Sequence, residues 1–192
     1  MAMEVPNFGA PSDTLVAVVL GATLATLGGF LAARFEAWLR RRERERDAAL
    51  LLGEIVFTFV MVLKMTDETR RIGDPYGPIT MQMLAGARRE ADAYERHRDR
   101  LPDLGDPGLR IGMHKLMITL TMTLDGMLAN TASSAAFPAT KAGKAAAQAL
   151  KAQRDGAFDF IVESIPTLDP LLARLSKIAG ISFDGHEAVV RG

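Results

Sequence analysis

The sequence is 192 residues long, and its 23 Lys and Arg are balanced by 23 Asp and Glu, with no cysteine. A chain without net charge has no overall basic field to draw in nucleic acid and no acidic tail. The lack of cysteine excludes disulfides, thiolate catalysis and Cys-ligated zinc, and leaves no clue to the redox compartment.

Residues 1–13 (MAMEVPNFGAPSD) contain Glu4 and Asp13 but no Lys or Arg. Pro11, Ser12 and Asp13 supply a helix start, with Ser12 or Asp13 as its cap. Residues 14–33 (TLVAVVLGATLATLGGFLAA) then carry no charged side chain at all. An apolar run of about 20 residues, rising about 1.5 Å per residue, crosses a hydrocarbon core of about 30 Å with its backbone groups bonded internally. This stretch is therefore expected to be a transmembrane helix. A cleaved signal peptide is the competing reading, and it fails for want of a positive leading region and because the run is too long.

Within the span, Ala17, Gly21, Ala25, Gly29 and Ala33 recur at every fourth position, with Ala22 and Gly28 widening the strip. A strip without side-chain bulk lets another helix approach closely, and close van der Waals contact drives helix pairing in lipid. Leu15, Val18, Val19, Leu24, Leu27 and Leu31 lie opposite, where acyl chains would cover them. The expected partners are other transmembrane helices, in a homo-oligomer or a larger membrane complex.

Arg34, Arg40, Arg41, Arg42, Arg44 and Arg46 crowd the far end of the span. The positive-inside rule puts the N-terminus outside and the bulk of the chain in the cytoplasm. With a composition rich in Ala, Arg, Leu and Gly, the expected location is a bacterial inner (cytoplasmic) membrane. Residues 34–47 are strong helix formers of alternating charge without Gly or Pro, which predicts a charged juxtamembrane stalk continuous with the span. Arg34, Arg40, Arg41 and Arg42 form a basic cluster suited to anionic lipid headgroups, worth about 1 kcal/mol per charge near the surface.

Residues 48–180 are expected to form a cytoplasmic helical bundle of about four helices plus a short fifth. The first, Ala48 to Met65, is apolar on all sides apart from Glu54 and Lys64. On the insertion scale each Leu, Ile, Phe or Val contributes about −0.3 to −0.6 kcal/mol and Glu54 costs roughly 2.5–3.5, so hydropathy alone permits a second span. A hairpin would, however, need a turn inside an uninterrupted charged helix and would carry Lys64, Arg70 and Arg71 across the bilayer. The stretch is therefore expected at the centre of the bundle, or with one side buried against a partner. Glu54 is the candidate buried ionisable residue: a buried carboxylate finds a basic or hydrogen-bonding partner, and an unpartnered one would point to function.

Gly73-Asp74-Pro75-Tyr76-Gly77-Pro78 reads as a break. A helix from about Ile79 to Arg100 follows, with Met83, Leu84, Ala87, Ala91 and Tyr94 on one face and Asp92 able to pair with Arg89 and Arg96. After a loop from Pro102 to Pro107 comes the clearest amphipathic period, Leu109, Met113, Leu116, Met117, Leu120, Leu124, Met127 and Leu128. Asn130 to Thr140 reads as a loop. The next helix runs from about Lys141 to Ser164, with Pro166 ending it. Asp169 and Pro170 then open the short fifth helix, closed by Gly180. Residues 181–192 show no lasting period and are expected to be an irregular tail.

The residue sets that carry chemistry are missing. There is no HExxH, Glu-x-x-His pair, Walker-type glycine loop or GxSxG. His97, His114 and His186 lie in separate segments, and no second ligand supports a haem or metal at His114. No catalytic, cofactor-binding or metal residue is therefore assigned. The many methionines read as adaptable core filler. The sequence favours a non-catalytic bitopic protein, an accessory, scaffold or assembly subunit of a membrane complex. The alternative is an oligomeric membrane-anchored sensor or effector whose bundle responds to a ligand or partner and signals through the stalk.

Overall fold

A computed structural model describes residues 11–72, 76–134 and 141–183. It is all-helical, with four α-helices and no strand among the described residues: α1 (Pro11–Ile72), α2 (Pro78–His97), α3 (Pro107–Ser134) and α4 (Lys141–Ala179). A short 3-10 turn, Arg98–Asp103, follows α2. Residues 1–10 of the expected leading tail, 73–75 of the first break, 135–140 of the second loop and 184–192 of the trailing tail lie outside the described residues. The chain divides into two compact units, Met1–Glu43 and Arg44–Gly192.

In the first unit, α1 already includes Pro11, ahead of the start expected at Ser12 or Asp13. It contains the only described helix long and apolar enough to cross a membrane, and the most apolar window of that helix is wholly exposed.

The second unit has one hydrophobic core, to which α1, α2, α3 and α4 all contribute. From α1, Ala48, Ala49, Leu52, Ile55, Val56, Phe59, Val60 and Leu63 are buried. Their spacing of three and four leaves Glu54, Thr58, Met61 and Met65 on the outer face, all exposed. This corrects the expectation that Glu54 is buried. The stretch around it is buried on one side, so the carboxylate at the intervening position meets solvent, while its own carbonyl accepts the Thr58 hydroxyl at 2.9 Å.

Helices α2 and α3 bury the faces that their periods predict. Leu84, Ala87, Ala91 and Tyr94 are fully buried on one, and Leu109, Met113, Met117, Leu120, Leu124 and Met127 on the other. Burying a side chain of this size contributes about 1.5–3 kcal/mol, so these rows dominate local stability. Helix α3 starts on Asp106, whose Oδ1 accepts the backbone N–H of Gly108 at 2.9 Å and of Leu109 at 3.1 Å. Pro107 occupies the first turn, where its missing N–H costs nothing. The helix runs to Ser134 instead of ending at Asn130, which shortens the expected loop.

The largest correction concerns α4, a single helix through Pro166 and Pro170, so there is no separate fifth helix. Both prolines are exposed, while Ile165, Leu168, Leu172 and Leu175 continue the buried face begun by Phe158 and Ile161. Proline removes an intrahelical N–H donor and crowds the preceding turn. Here side chains serve neighbouring carbonyls: the Ser164 hydroxyl donates to Phe160 O at 2.7 Å and the Thr167 hydroxyl to Ser164 O at 2.6 Å. The helix ends as expected at Gly180, whose φ of 72° is the left-handed conformation that glycine adopts freely. Its N–H and that of Ile181 both bond Ser176 O.

Of the expected irregular tail, Phe183 is buried and its ring lies against Gly53 of α1, where any Cβ would overlap it.

Candidate functional site

Residues 15–39 of α1 are all exposed. Ala17, Gly21, Ala25, Gly29 and Ala33 are all exposed. The Cβ positions of Gly21, Gly28 and Gly29 face open space. A period of four on a helix of 3.6 residues per turn advances the strip by roughly 40° per step, so the small residues trace a ridge oblique to the axis. That is the geometry of right-handed small-residue crossings, at roughly −40°. Around the rest of the circumference Leu15, Val18, Val19, Leu24, Leu27 and Leu31 are 53–65% exposed. The two polar side chains in the middle are satisfied internally: the Thr23 hydroxyl donates to Val19 O at 2.7 Å and the Thr26 hydroxyl to Ala22 O at 2.8 Å.

Where charge begins, aromatic rings appear with it, a feature that the sequence reading did not single out. The Arg34 guanidinium lies 5.9 Å from the Phe30 ring centroid, and that of Arg42 lies 5.3 Å from Trp38. Phe35 and Trp38 stack with centroids 5.9 Å apart. Arg40 pairs with Glu36, as its i, i+4 spacing predicts. Arg34, Arg40, Arg41 and Arg42 are all exposed. The missed signal was the i, i+4 spacing of Phe30 with Arg34 and of Trp38 with Arg42, which sets each ring beneath a cation.

Several charged groups of the second unit are paired with one another. Arg70 donates to Asp159 at 2.8 Å and lies 4.4 Å over the Phe158 ring. Burial works to lower its pKa, but the bond and charge of Asp159 outweigh it, and the net shift is upward. The groove beside it, lined by Asp67, Arg70, Arg71, Asp159, Val162 and Glu163, holds paired charges of both signs. The Tyr76 hydroxyl donates to Asp155 at 2.5 Å, and Arg154 stacks 3.5 Å over the Tyr76 ring. Burial first, then Asp155, pushes the Tyr76 phenol up to about 12.

Asp92 pairs with Arg88, not with Arg89 or Arg96, because Arg88 sits on the side of α2 facing α3 and also reaches Asp125 there. His114 is half-buried, and its Nδ1 is buried without a hydrogen-bond partner. No group of three or more His, Cys, Asp or Glu side chains is placed to hold a metal among the described residues. No family model matches the chain, and no curated protein or solved structure shows significant similarity to it.

Proposed function

We propose that this is a bitopic membrane protein whose residues 14–33 cross a bacterial inner membrane with the N-terminus outside and residues 34–192 in the cytoplasm. Its role is non-catalytic: an accessory, scaffold or assembly subunit that grips other transmembrane helices through the Ala17, Gly21, Ala25, Gly29 and Ala33 seam and presents a cytoplasmic helical bundle. The observation that carries this reading is the wholly exposed apolar surface of α1, which water would not tolerate and a bilayer would cover. The aromatic and arginine cluster at residues 30–42 supports it, since aromatic rings favour the headgroup level and the Arg excess marks the cytoplasmic side. Arg34, Arg40, Arg41 and Arg42 then meet anionic lipid headgroups. The second reading, an oligomeric sensor or effector, draws on the unbroken helical run of α1 through residues 34–47, which would connect span and bundle.

Trp38 is the only tryptophan, so its fluorescence reports its depth directly. In reconstituted vesicles, lipids brominated near the headgroup should quench it more strongly than lipids brominated at the acyl terminus. Absence of quenching by either set would rule out the bilayer placement. Gly21→Leu and Gly29→Leu should weaken association in mild detergent, measured by crosslinking and mass spectrometry of what remains bound. Recovery with a larger complex supports the accessory subunit, recovery as a homo-oligomer alone supports the sensor, and unchanged assembly removes the seam.

A further inference from the structure

A groove of about 370 Å³ lies between the 3-10 turn and the first turns of α3, lined by Arg98, Leu101, Pro102, Arg110, Ile111 and His114. Two arginines and a histidine line it, and no carboxylate among the described residues does. In a chain whose charges balance overall, that is a local excess of one sign. Two of the acidic groups nearby in sequence are engaged with other partners: Asp103 pairs with Arg100 at 3.8 Å, and Asp106 with Arg174. Arg110 has no ion pair among the described residues. Arg98 is held at 3.1 Å by Glu95, an exposed contact that a stronger anion displaces. The His114 ring nitrogen Nδ1 is out of water and has no hydrogen-bond partner among the described residues.

We propose that this groove binds a phosphate ester, the phosphate between Arg98 and Arg110 and a small apolar part of the ligand against Leu101, Pro102 and Ile111. Guanidinium groups present forked donors that match phosphate oxygens, and such charge-assisted bonds are about twice as strong as neutral ones. The His114 side chain lines the same groove, so its ring senses a ligand bound there. The chemistry suits either of two sources. The loop that joins the 3-10 turn to α3 is tied to the start of the second unit, where the Gly105 N–H donates to the Glu45 carboxylate at 2.8 Å. A lipid headgroup and a soluble ester present the same phosphate oxygens, so the groove's donors accept either.

The test uses the full chain in nanodiscs, labelled with ¹⁵N-histidine, with the His114 resonance assigned by His114→Phe. In discs of phosphatidylcholine alone, glycerol 3-phosphate is titrated at constant ionic strength; in a second arm, phosphatidic acid is introduced into the discs without soluble ester. The proposal expects a saturable shift of the His114 signal in one arm, which then identifies the source. It also expects binding weakened at least about tenfold by Arg110→Gln or Arg98→Gln and unaltered by Arg89→Gln, an exposed arginine elsewhere on α2. No shift in either arm overturns it, as does an equal loss with Arg89→Gln, which would mark general charge attraction. Circular dichroism confirms that each variant keeps its helices. The soluble-ester arm does not depend on residues 14–33 spanning a bilayer, so negative results in both arms combined with normal Trp38 quenching count against the groove alone.

Discussion

Arg46 donates through Nε to the main-chain carbonyl of Ala179 at 2.9 Å, joining the first turn of the second unit to the last turn of α4. The carbonyls at a helix C-terminus have no intrahelical donor and carry the negative end of the helix dipole, so a guanidinium there satisfies both. Arg46→Met keeps much of the aliphatic stem and removes the donor. It should cost about 1 kcal/mol, lowering the thermal midpoint in mild detergent by roughly 2–4 °C. An unchanged midpoint would show that water replaces the contact without loss.

Gly53 and Phe183 predict a change of sign. Alanine is a better helix former than glycine by about 1 kcal/mol, but a methyl at Gly53 must push out a ring whose burial is worth about 1.5–3 kcal/mol. Gly53→Ala alone should therefore destabilise. In a Phe183→Ala background the same substitution should stabilise, because the obstacle is gone. Denaturant unfolding of the four proteins in this cycle measures both signs, and equal effects in the two backgrounds would refute the contact.

Pro166 and Pro170 stand exposed inside a helix that does not break at them. Pro166→Ala restores an N–H donor one turn after Val162 and relieves crowding there, against a smaller penalty from a freer unfolded chain. The variant should gain about 1–2 kcal/mol, raising the thermal midpoint by several degrees. A fall in stability would show that the restored donor and relieved crowding do not outweigh the freer unfolded chain.

The chain has only two tyrosines, and both phenols are raised. For Tyr94 the cause is burial first and then Glu95, against a smaller opposing effect of Arg98. An absorbance titration of tyrosinate in the folded protein should therefore show no step near the ordinary value of about 10. The first should come at about 12, from Tyr76. The unfolded chain ionises first as pH rises, so the tyrosines' stabilising effect is full below about pH 10 and declines as pH climbs through the folded value. Tyr76→Phe should flatten that decline, and an equal decline in the variant would assign it to other groups.

The helices α2 and α3 were legible because their buried residues repeat at three and four positions with polar residues between, and because Pro78 and Pro107 open them. The sequence reading failed where a strong local rule met a stronger tertiary one. Pro166 reads as a stop, yet Ile165, Leu168, Leu172 and Leu175 prolong one buried face across it. Glu54 reads as buried because its neighbours in sequence are apolar, but burial is decided by helix face, and Glu54 shares its face with Thr58 and Met61. The groove at Arg98, Arg110 and His114 draws on two elements joined by a loop. Arg110 and His114 are one turn apart on α3, but nothing in their spacing announces Arg98.

With the hydroxyl protons of Thr23 and Thr26 given to Val19 O and Ala22 O, the stretch from residue 15 to residue 33 has no side-chain proton left to offer a neighbour. A mate accepted there would find only the acceptor lone pairs of two threonine hydroxyls, so contour would do most of the choosing. Such a surface discriminates by how near two backbones can come, which makes it tolerant of a mate's chemistry and unforgiving of a single added methyl branch.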